Sequence, residues 1–333
     1  MGGDYGPSVT VPAALSVLKK HPDLHLILVG DSAVLEPYLK ALKAPSRLTL
    51  RHTTQQVDND ESPARALRGK KDSSMRVTID LVKEGTAQAC VSAGNTGALM
   101  ATAHYVLKTL VGVDRPAIMA TFPTISGLGV RLLDLGANVD SSAENLYQFA
   151  VMGSIVTRLV AGIAKPRVGL LNIGAEAIKG NEQVKKTAVL LQNCPSINYM
   201  GYVEGNDIFK EVADVIVCDG FIGNITLKAC EGSAKIIGTY LKEAFMKTAL
   251  TRVVGLLAKP ILKTVVKQLD PGRFNGASLL GLRGIVIKSH GGANTVAFAH
   301  AIEEAVSEVV NNIPERIHQE VAALLQIKHG TAP

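Results

Sequence analysis

Residues Val215 to Lys235 read VIVCDGFIGNITLKACEGSAK, and this stretch decides the fold. The run Val215-Ile216-Val217-Cys218 is continuous and β-branched, which suits a strand covered on both faces, as in a parallel sheet. Asp219 and Gly220 end the run. From Gly223 and Asn224 the spacing predicts a helix whose Ile225, Leu227 and Ala229 reach a core, so free backbone N–H groups point into the loop before it. Such a loop is built to hold something negative.

The same design recurs outward from that stretch. Strands are predicted at Leu24 to Val29 (LHLILV), Leu48 to His52, Ala87 to Val91, Val168 to Ile173, Ile197 to Met200 and Ile285 to Ile287, with two more runs between Arg115 and Leu135. Helical spacing covers Ala33 to Lys43, Met75 to Lys83, the small residues and leucines up to Leu110, Ser142 to Gly162, and the segment through Leu191. Strands alternating with helices imply an α/β fold: a mainly parallel sheet with helices on both faces, here one domain over residues 1–330. Ligands in such sheets collect beyond the carboxyl ends of the strands. Five of those ends carry glycines and small polar residues: Gly30-Asp31, Ser92 to Gly97, Gly174 to Gly180, Asp219 to Asn224 and Ser289 to Gly292. Ordinary loop composition explains any one of them; five together predict a shared site.

Composition narrows the partners. Aromatic content of 4% with no Trp argues against stacking on bases, so nucleic acid is not an expected partner. The net charge of +6, from 35 basic and 29 acidic residues, is a mild excess that favours anionic ligands or surfaces. Cys90, Cys194, Cys218 and Cys230 form no C-x-x-C pair and read as reduced core thiols. With no signal-peptide pattern and no uninterrupted apolar run of about 18 residues, the expected location is the cytoplasm.

The loops also exclude chemistries. No G-x-G-x-x-G follows a strand, and neither the triphosphate loop G-x-x-x-x-G-K-[ST] nor the G-x-S-x-G elbow occurs. Asp134 and Asp140 flank a turn, where capping competes with binding of a hard cation; no metal or cofactor is expected. What remains is oxyanion binding by backbone N–H groups, a lysine and the amides of Asn95, Asn138 and Asn224, which suits phosphate. Lys179, in the glycine-framed loop Ala177-Ile178-Lys179-Gly180-Asn181, is the sharpest cation, its competing reading being a solvated loop lysine. Asn224 reads equally as a helix cap, and His290 as a hydrogen-bonded strand-end histidine. Asp4, Ser92, Thr96, Gly180, Asp219, Gly223 and His290 complete the candidate phosphate contacts.

The basic excess gathers in residues 240–270, where Lys242, Lys247, Arg252, Lys259, Lys263 and Lys267 stand among leucines and valines. Gly255 and Pro260 are expected to break the segment into two helices. An apolar tip at Val253, Val254, Leu256 and Leu257 flanked by cations suits insertion into an anionic membrane surface, and a dimer-packing hairpin suits it as well.

The strings MGGDYGP, SAGNTGAL, RPAIMATFPT, LLDLGANVD, NIGAEAIKGNE, DGFIGNITLKACEGSAK and GASLLGLRGIVIKSHGG resemble, in order and along nearly the whole chain, the PlsX-type phosphate acyltransferases of bacterial phospholipid synthesis. The resemblance implies a three-layer αβα sandwich related to phosphotransacetylase and isocitrate-dehydrogenase-like folds, with a protruding helical hairpin at 240–270, and a homodimer. It implies transfer of a fatty acyl group from acyl carrier protein to inorganic phosphate, giving acyl phosphate for a membrane glycerol-3-phosphate acyltransferase. Lys179 and Asn224 match the family's functional lysine and asparagine, and peripheral membrane association at the hairpin is implied too. There are two departures. Family members carry a strand and an Asp-Ala before M-G-G-D, so either the start lies upstream of Met1 or the sheet lacks one strand. Ala175 and Ala177 stand where acidic or polar residues are common. The rival readings are an NAD-dependent decarboxylating dehydrogenase on a related fold and a non-enzymatic membrane-surface scaffold.

Overall fold

A computed structural model of the chain describes residues 2–269 and 271–328. In chain order the elements are α1 (Pro7–Lys20), β1 (Leu26–Gly30), α2 (Ser32–Ala41), β2 (Leu48–His52), α3 (Pro63–Gly69), α4 (Ser74–Lys83), β3 (Ala89–Ser92) and α5 (Thr96–Leu107). Then follow β4 (Ala117–Phe122), β5 (Val130–Leu133), α6 (Ala143–Ala161), β6 (Arg167–Asn172), α7 (Glu182–Gln192), β7 (Asn198–Glu204) and β8 (Val215–Val217). The chain continues through α8 (Gly220–Met246), α9 (Ala249–Leu269), β9 (Ala277–Leu280), β10 (Ile285–Lys288), α10 (Thr295–Val310) and α11 (Ile313–Lys328).

The predicted strand at 215–218 forms the centre of the core. Val215, Ile216 and Val217 are each at most 1% exposed, and burying side chains of this size contributes about 1.5–3 kcal/mol apiece. They alternate between faces, as strand geometry requires. Val215 and Val217 join Leu133, Phe149 and Met152 in a cluster covered by α6, α7 and α11, whereas Ile216 joins Leu132, Leu99 and Ala103 in a cluster covered by α4 and α5. Helices therefore lie on both faces of the sheet.

Among the described residues eight strands form one sheet in the order β3-β10-β9-β4-β5-β8-β6-β7, and β1 and β2 form a separate parallel pair. The sheet is parallel at its flanks, in β3-β10 and in β5-β8-β6-β7, and antiparallel through β10-β9-β4-β5. Strand β9 escapes the sequence patterns because it is four residues long and half leucine.

This pairing corrects the expectation of one shared site. Phe122 at the end of β4 pairs with Val130 at the start of β5, and Lys288 at the end of β10 pairs with Ala277 at the start of β9. Through those antiparallel pairs, the carboxyl ends of β3 and β10 come to one edge of the sheet. The carboxyl ends of β5, β8 and β6 come to the opposite edge. Within one chain the loops Ser92 to Gly97 and Ser289 to Gly292 are thus a strand length away from Asp219 to Asn224 and Gly174 to Gly180.

The hairpin also differs from expectation. Its turn falls at Lys247 and Thr248, between α8 and α9, while Gly255 and Pro260 lie inside α9. A Cβ at Gly255 would stand 3.0 Å from the Phe245 ring, so the glycine lets the two helices approach instead of breaking one. Val253, Val254, Leu256 and Leu257 accordingly sit along the first turns of α9, each close to half exposed or more, and not at a tip. Lys263 and Lys267 have side chains outside those described.

Candidate active site

Several of the polar residues at or just beyond the strand ends prove to be helix caps. Asp31, Asn95, Asn181, Asp219 and Asn294 each precede a helix and accept a hydrogen bond from a backbone N–H of its first turn, satisfying donors that a helix start otherwise leaves open. For Asp219 the acceptor bond comes from Ile222 at 2.9 Å. Helix α8 therefore begins at Gly220, three residues before the start that the sequence predicts, and Gly223 and Asn224 stand within its first two turns.

That early start is made possible by two glycines lying against the loop after β5. A Cβ on Gly220 would fall 2.3 Å from the Asn138 carbonyl oxygen, and one on Gly223 would fall 1.8 Å from that of Asp134. Asp134 organises the loop. One carboxylate oxygen accepts from the N–H groups of Ile118 (2.9 Å), Gly136 (3.2 Å) and Ala137 (2.9 Å), and the other accepts from the backbone and side chain of Asn138. Burial pushes the Asp134 carboxyl above its ordinary pKa, and these hydrogen bonds oppose that shift. Asp134 is structural, in keeping with the capping reading.

The asparagines now separate. Asn138 spends its side-chain donors on Pro116 O (2.8 Å) and Asp134 (2.9 Å). Asn95 caps α5 and donates to Asn59 O (2.9 Å) and Glu61 O (2.8 Å). Neither amide is free to bind a ligand, which corrects both assignments. The Asn224 amide, half-buried, has no hydrogen-bond partner among the described residues and lies over Gly136, 3.3 Å from where that residue would carry a Cβ.

Lys179 stands at the carboxyl end of β6, the strand next to β8. Its loop is tied down by Asn172, whose amide donates to the carbonyls of Gly174 (3.1 Å) and Lys179 (3.2 Å). Gly180 has φ +95 and passes so close to Asn172 that no side chain fits. The Lys179 ammonium pairs with Glu176 at 2.9 Å and is held above its usual pKa by that carboxylate. Lys179 and Asn224 therefore share one edge, with a carboxylate guarding the cation.

The opposite edge gathers Asp4, Ser92, Thr96 and His290. Asp4 N–H donates to Gly291 O at 2.9 Å, and its carboxylate lies beside Gly291 and Gly292. Ser92 Oγ accepts from Gly94 N–H, and His290 Nδ1 accepts from Gly292 N–H at 3.0 Å, which puts the proton of the neutral ring on Nε2. Thr96 opens α5 and is exposed. Sequence patterns miss Lys288 here. It is a mostly buried cation at the end of β10 that donates to Ser289 O; burial pulls its pKa down to about 8, with Asp4 opposing. The available signal was the position of Lys288, at the end of an apolar strand directly before S-H-G-G.

The architecture is that of the phosphotransacetylases. A phosphotransacetylase from Streptococcus pyogenes superposes with a TM-score of 0.57 at 19% identity, covering 90% of each chain. In sequence, residues 1–316 match the family described as "Fatty acid synthesis protein". The "Phosphate acyltransferase" of Coxiella burnetii (strain Dugway 5J108-111) is 59% identical over 329 residues, 98% of this chain and 96% of that protein. The protein of the same name from Legionella pneumophila (strain Paris) is 55% identical over 323 residues, 96% of this chain and 94% of that one. The chain belongs to this fatty acid synthesis protein family.

Proposed function

We propose that the chain transfers a fatty acyl group from the thioester of acyl carrier protein to inorganic phosphate, releasing acyl phosphate. The observation that carries this reading is the unspent amide of Asn224, which lies over Gly136 at the same sheet edge as the Lys179 loop. The names of the relatives supply phosphate and an acyl group as the class of reactants.

The reaction needs neither a protein nucleophile nor a metal. A phosphate oxygen attacks the thioester carbonyl carbon, a C–O bond forms and the carbonyl oxygen becomes an oxyanion. The intermediate collapses by breaking the C–S bond, and the departing thiolate takes a proton. The protein has to hold phosphate at the carbonyl and stabilise developing charge. In this reading Lys179 leaves Glu176 and takes the phosphate charge, and Asn224 donates to phosphate or to the thioester oxygen. Folded Lys179→Ala and Asn224→Ala enzymes should lose about 10²- to 10³-fold in phosphate-dependent thioester loss. Wild-type rates in both would sink the assignment.

The same reading takes the protein as a homodimer at the membrane surface, delivering acyl phosphate to a membrane glycerol-3-phosphate acyltransferase. Among the described residues no helix is long and apolar enough to cross a bilayer. Support for surface attachment is the exposed apolar row Val253, Val254, Leu256 and Leu257 with Lys247, Arg252 and Lys259 nearby in sequence.

A further inference from the structure

Strands β3 and β10 run in parallel and end together. Ile285 to Lys288 pairs residue for residue with Ala89 to Ser92, and the last pair is Lys288 with Ser92. Val286 and Cys90 both point into the core cluster covered by α4 and α5. Two residues further on, strand alternation turns Lys288 and Ser92 to that same face. There α5, which follows β3 and packs on β10, begins at Thr96. A lysine therefore stands mostly buried beneath a helix start.

Its ammonium is short of counter-charge. Among the described residues its one hydrogen-bond acceptor is the Ser289 carbonyl oxygen, and Asp4 acts on it through space, without a hydrogen bond. Burial pulls its pKa down to about 8, as an ammonium without a paired anion requires. A buried cation is stable only where something pairs with it.

Further donors with nothing to bind stand at the same strand ends. The N–H groups of Thr96 and Gly97 open α5 and have no acceptor among the described residues, since the Asn95 cap takes Ala98 N–H. Ser92 Oγ accepts from Gly94 N–H at 3.2 Å, which leaves its own proton to donate. His290 has its Nε2 proton, and its loop is fixed by Asn275, which donates to Ser289 Oγ (2.8 Å) and accepts from His290 N–H (2.9 Å).

One acceptor borders these donors. The Asp4 carboxylate oxygens lie 3.3 Å from where Gly291 and Gly292 would carry a Cβ. Asp4 is held there by its N–H, which donates to Gly291 O at 2.9 Å, and by the Asn59 amide, which donates to the carboxylate at 3.4 Å. A carboxylate beside an anion site repels a fully ionised ligand and accepts a hydrogen bond from one that keeps a proton. We propose that the ends of β3 and β10 form a second phosphate site, in which Lys288, Ser92 and the start of α5 hold a hydrogen phosphate ion whose hydroxyl donates to Asp4. Sulfate has the same shape and lacks that proton. The site lies at the sheet edge away from Lys179 and Asn224 and depends on none of the roles proposed for them.

The test follows isotope-labelled lysine side chains by NMR in the full chain, the Lys288 signal being the one lost in Lys288→Arg. Sodium phosphate is expected to move that signal saturably, in the unsubstituted chain and equally in Lys179→Ala. Sulfate at equal ionic strength is expected to bind at least about tenfold more weakly, and Asp4→Asn, whose amide donates, to remove that preference. By calorimetry, Lys288→Met is expected to bind one phosphate fewer per chain. A signal that stays still, or moves as much with sodium chloride, overturns the proposal, and because it is read in the unsubstituted chain no folding defect hides the result. Sulfate binding as tightly as phosphate overturns it too. Loss of the shift in Lys179→Ala overturns it by placing the ion at the other edge. A full shift in a chain that shows no acyl transfer supports this site and removes only the acyl-transfer reading.

Discussion

The carboxylate of Asp134 receives both the backbone N–H and the side-chain amide of Asn138, at 2.8 and 2.9 Å. With Ile118, Gly136 and Ala137 also donating to it, one buried side chain holds the platform on which α8 starts. Asp134→Ala leaves all these donors without their acceptor and is expected to destabilise the fold by about 3 kcal/mol or more. Urea denaturation followed by circular dichroism measures it.

Glycines along α8 should respond in opposite senses. Gly223→Ala drives a methyl group into the Asp134 carbonyl, a clash with backbone that is expected to cost at least about 3 kcal/mol or prevent folding. Gly238 faces open space in the same helix, and Gly238→Ala is expected to stabilise by about 0.5–1 kcal/mol through reduced freedom of the unfolded chain. Thermal melts of the two variants side by side give the comparison.

Glu176 competes with any anion for Lys179. On the proposed role of that lysine, Glu176→Ala lowers the KM for phosphate by about two- to fivefold, the modest scale of an exposed ion pair, and leaves kcat little changed. A higher KM in this variant would instead make Glu176 part of the binding surface.

A pH effect is expected from Glu308, which is 1% exposed and has an oxygen without a hydrogen-bond partner. Burial pushes its pKa from 4.5 up to about 8; Glu304 adds to the shift, and Ser278 and Arg131 oppose it. The folded protein therefore holds the proton more tightly than the unfolded chain does. Stability from the neutral form is fully present below about pH 4.5 and is lost as pH rises through about 8. Glu308→Gln should flatten the fall in melting temperature between those limits.

Membrane attachment has a direct readout. Leu256 and Leu257 are 70% and 76% exposed, and the double variant Leu256→Glu/Leu257→Glu is expected to stop pelleting with anionic liposomes while its melting temperature holds. Unchanged pelleting would move the apolar row to a protein interface.

The sequence patterns carry much of the architecture because the inner strands are continuous β-branched runs and the helices begin on marked caps. Leu48 to His52 emerges as read, and the run from Val215 to Cys218 emerges one residue shorter, ending at Val217. Strand direction is different in kind. The short β4-β5 and β9-β10 connections are local antiparallel hairpins, but the pairing of β4 with β9, about 160 residues away, is out of reach of local spacing, so two edges looked like one. The asparagines misled for a related reason. An amide after a strand suits a cap and a ligand equally, and only its hydrogen-bond partners separate Asn95 and Asn138 from Asn224. Lys288 was missed because its burial is produced by elements distant in sequence.

Cys218 lies at the junction of β8 and α8, buried, 3.6 Å from the Asp134 carbonyl oxygen that it faces. Burial holds its thiol well above the usual pKa, so it is inert while α8 is seated. A thiol reagent will label it only in the moments when the helix start lifts away. The labelling rate of this natural residue is a clock for the opening of the platform beneath Asn224, and a bound anion that stabilises the junction will slow it.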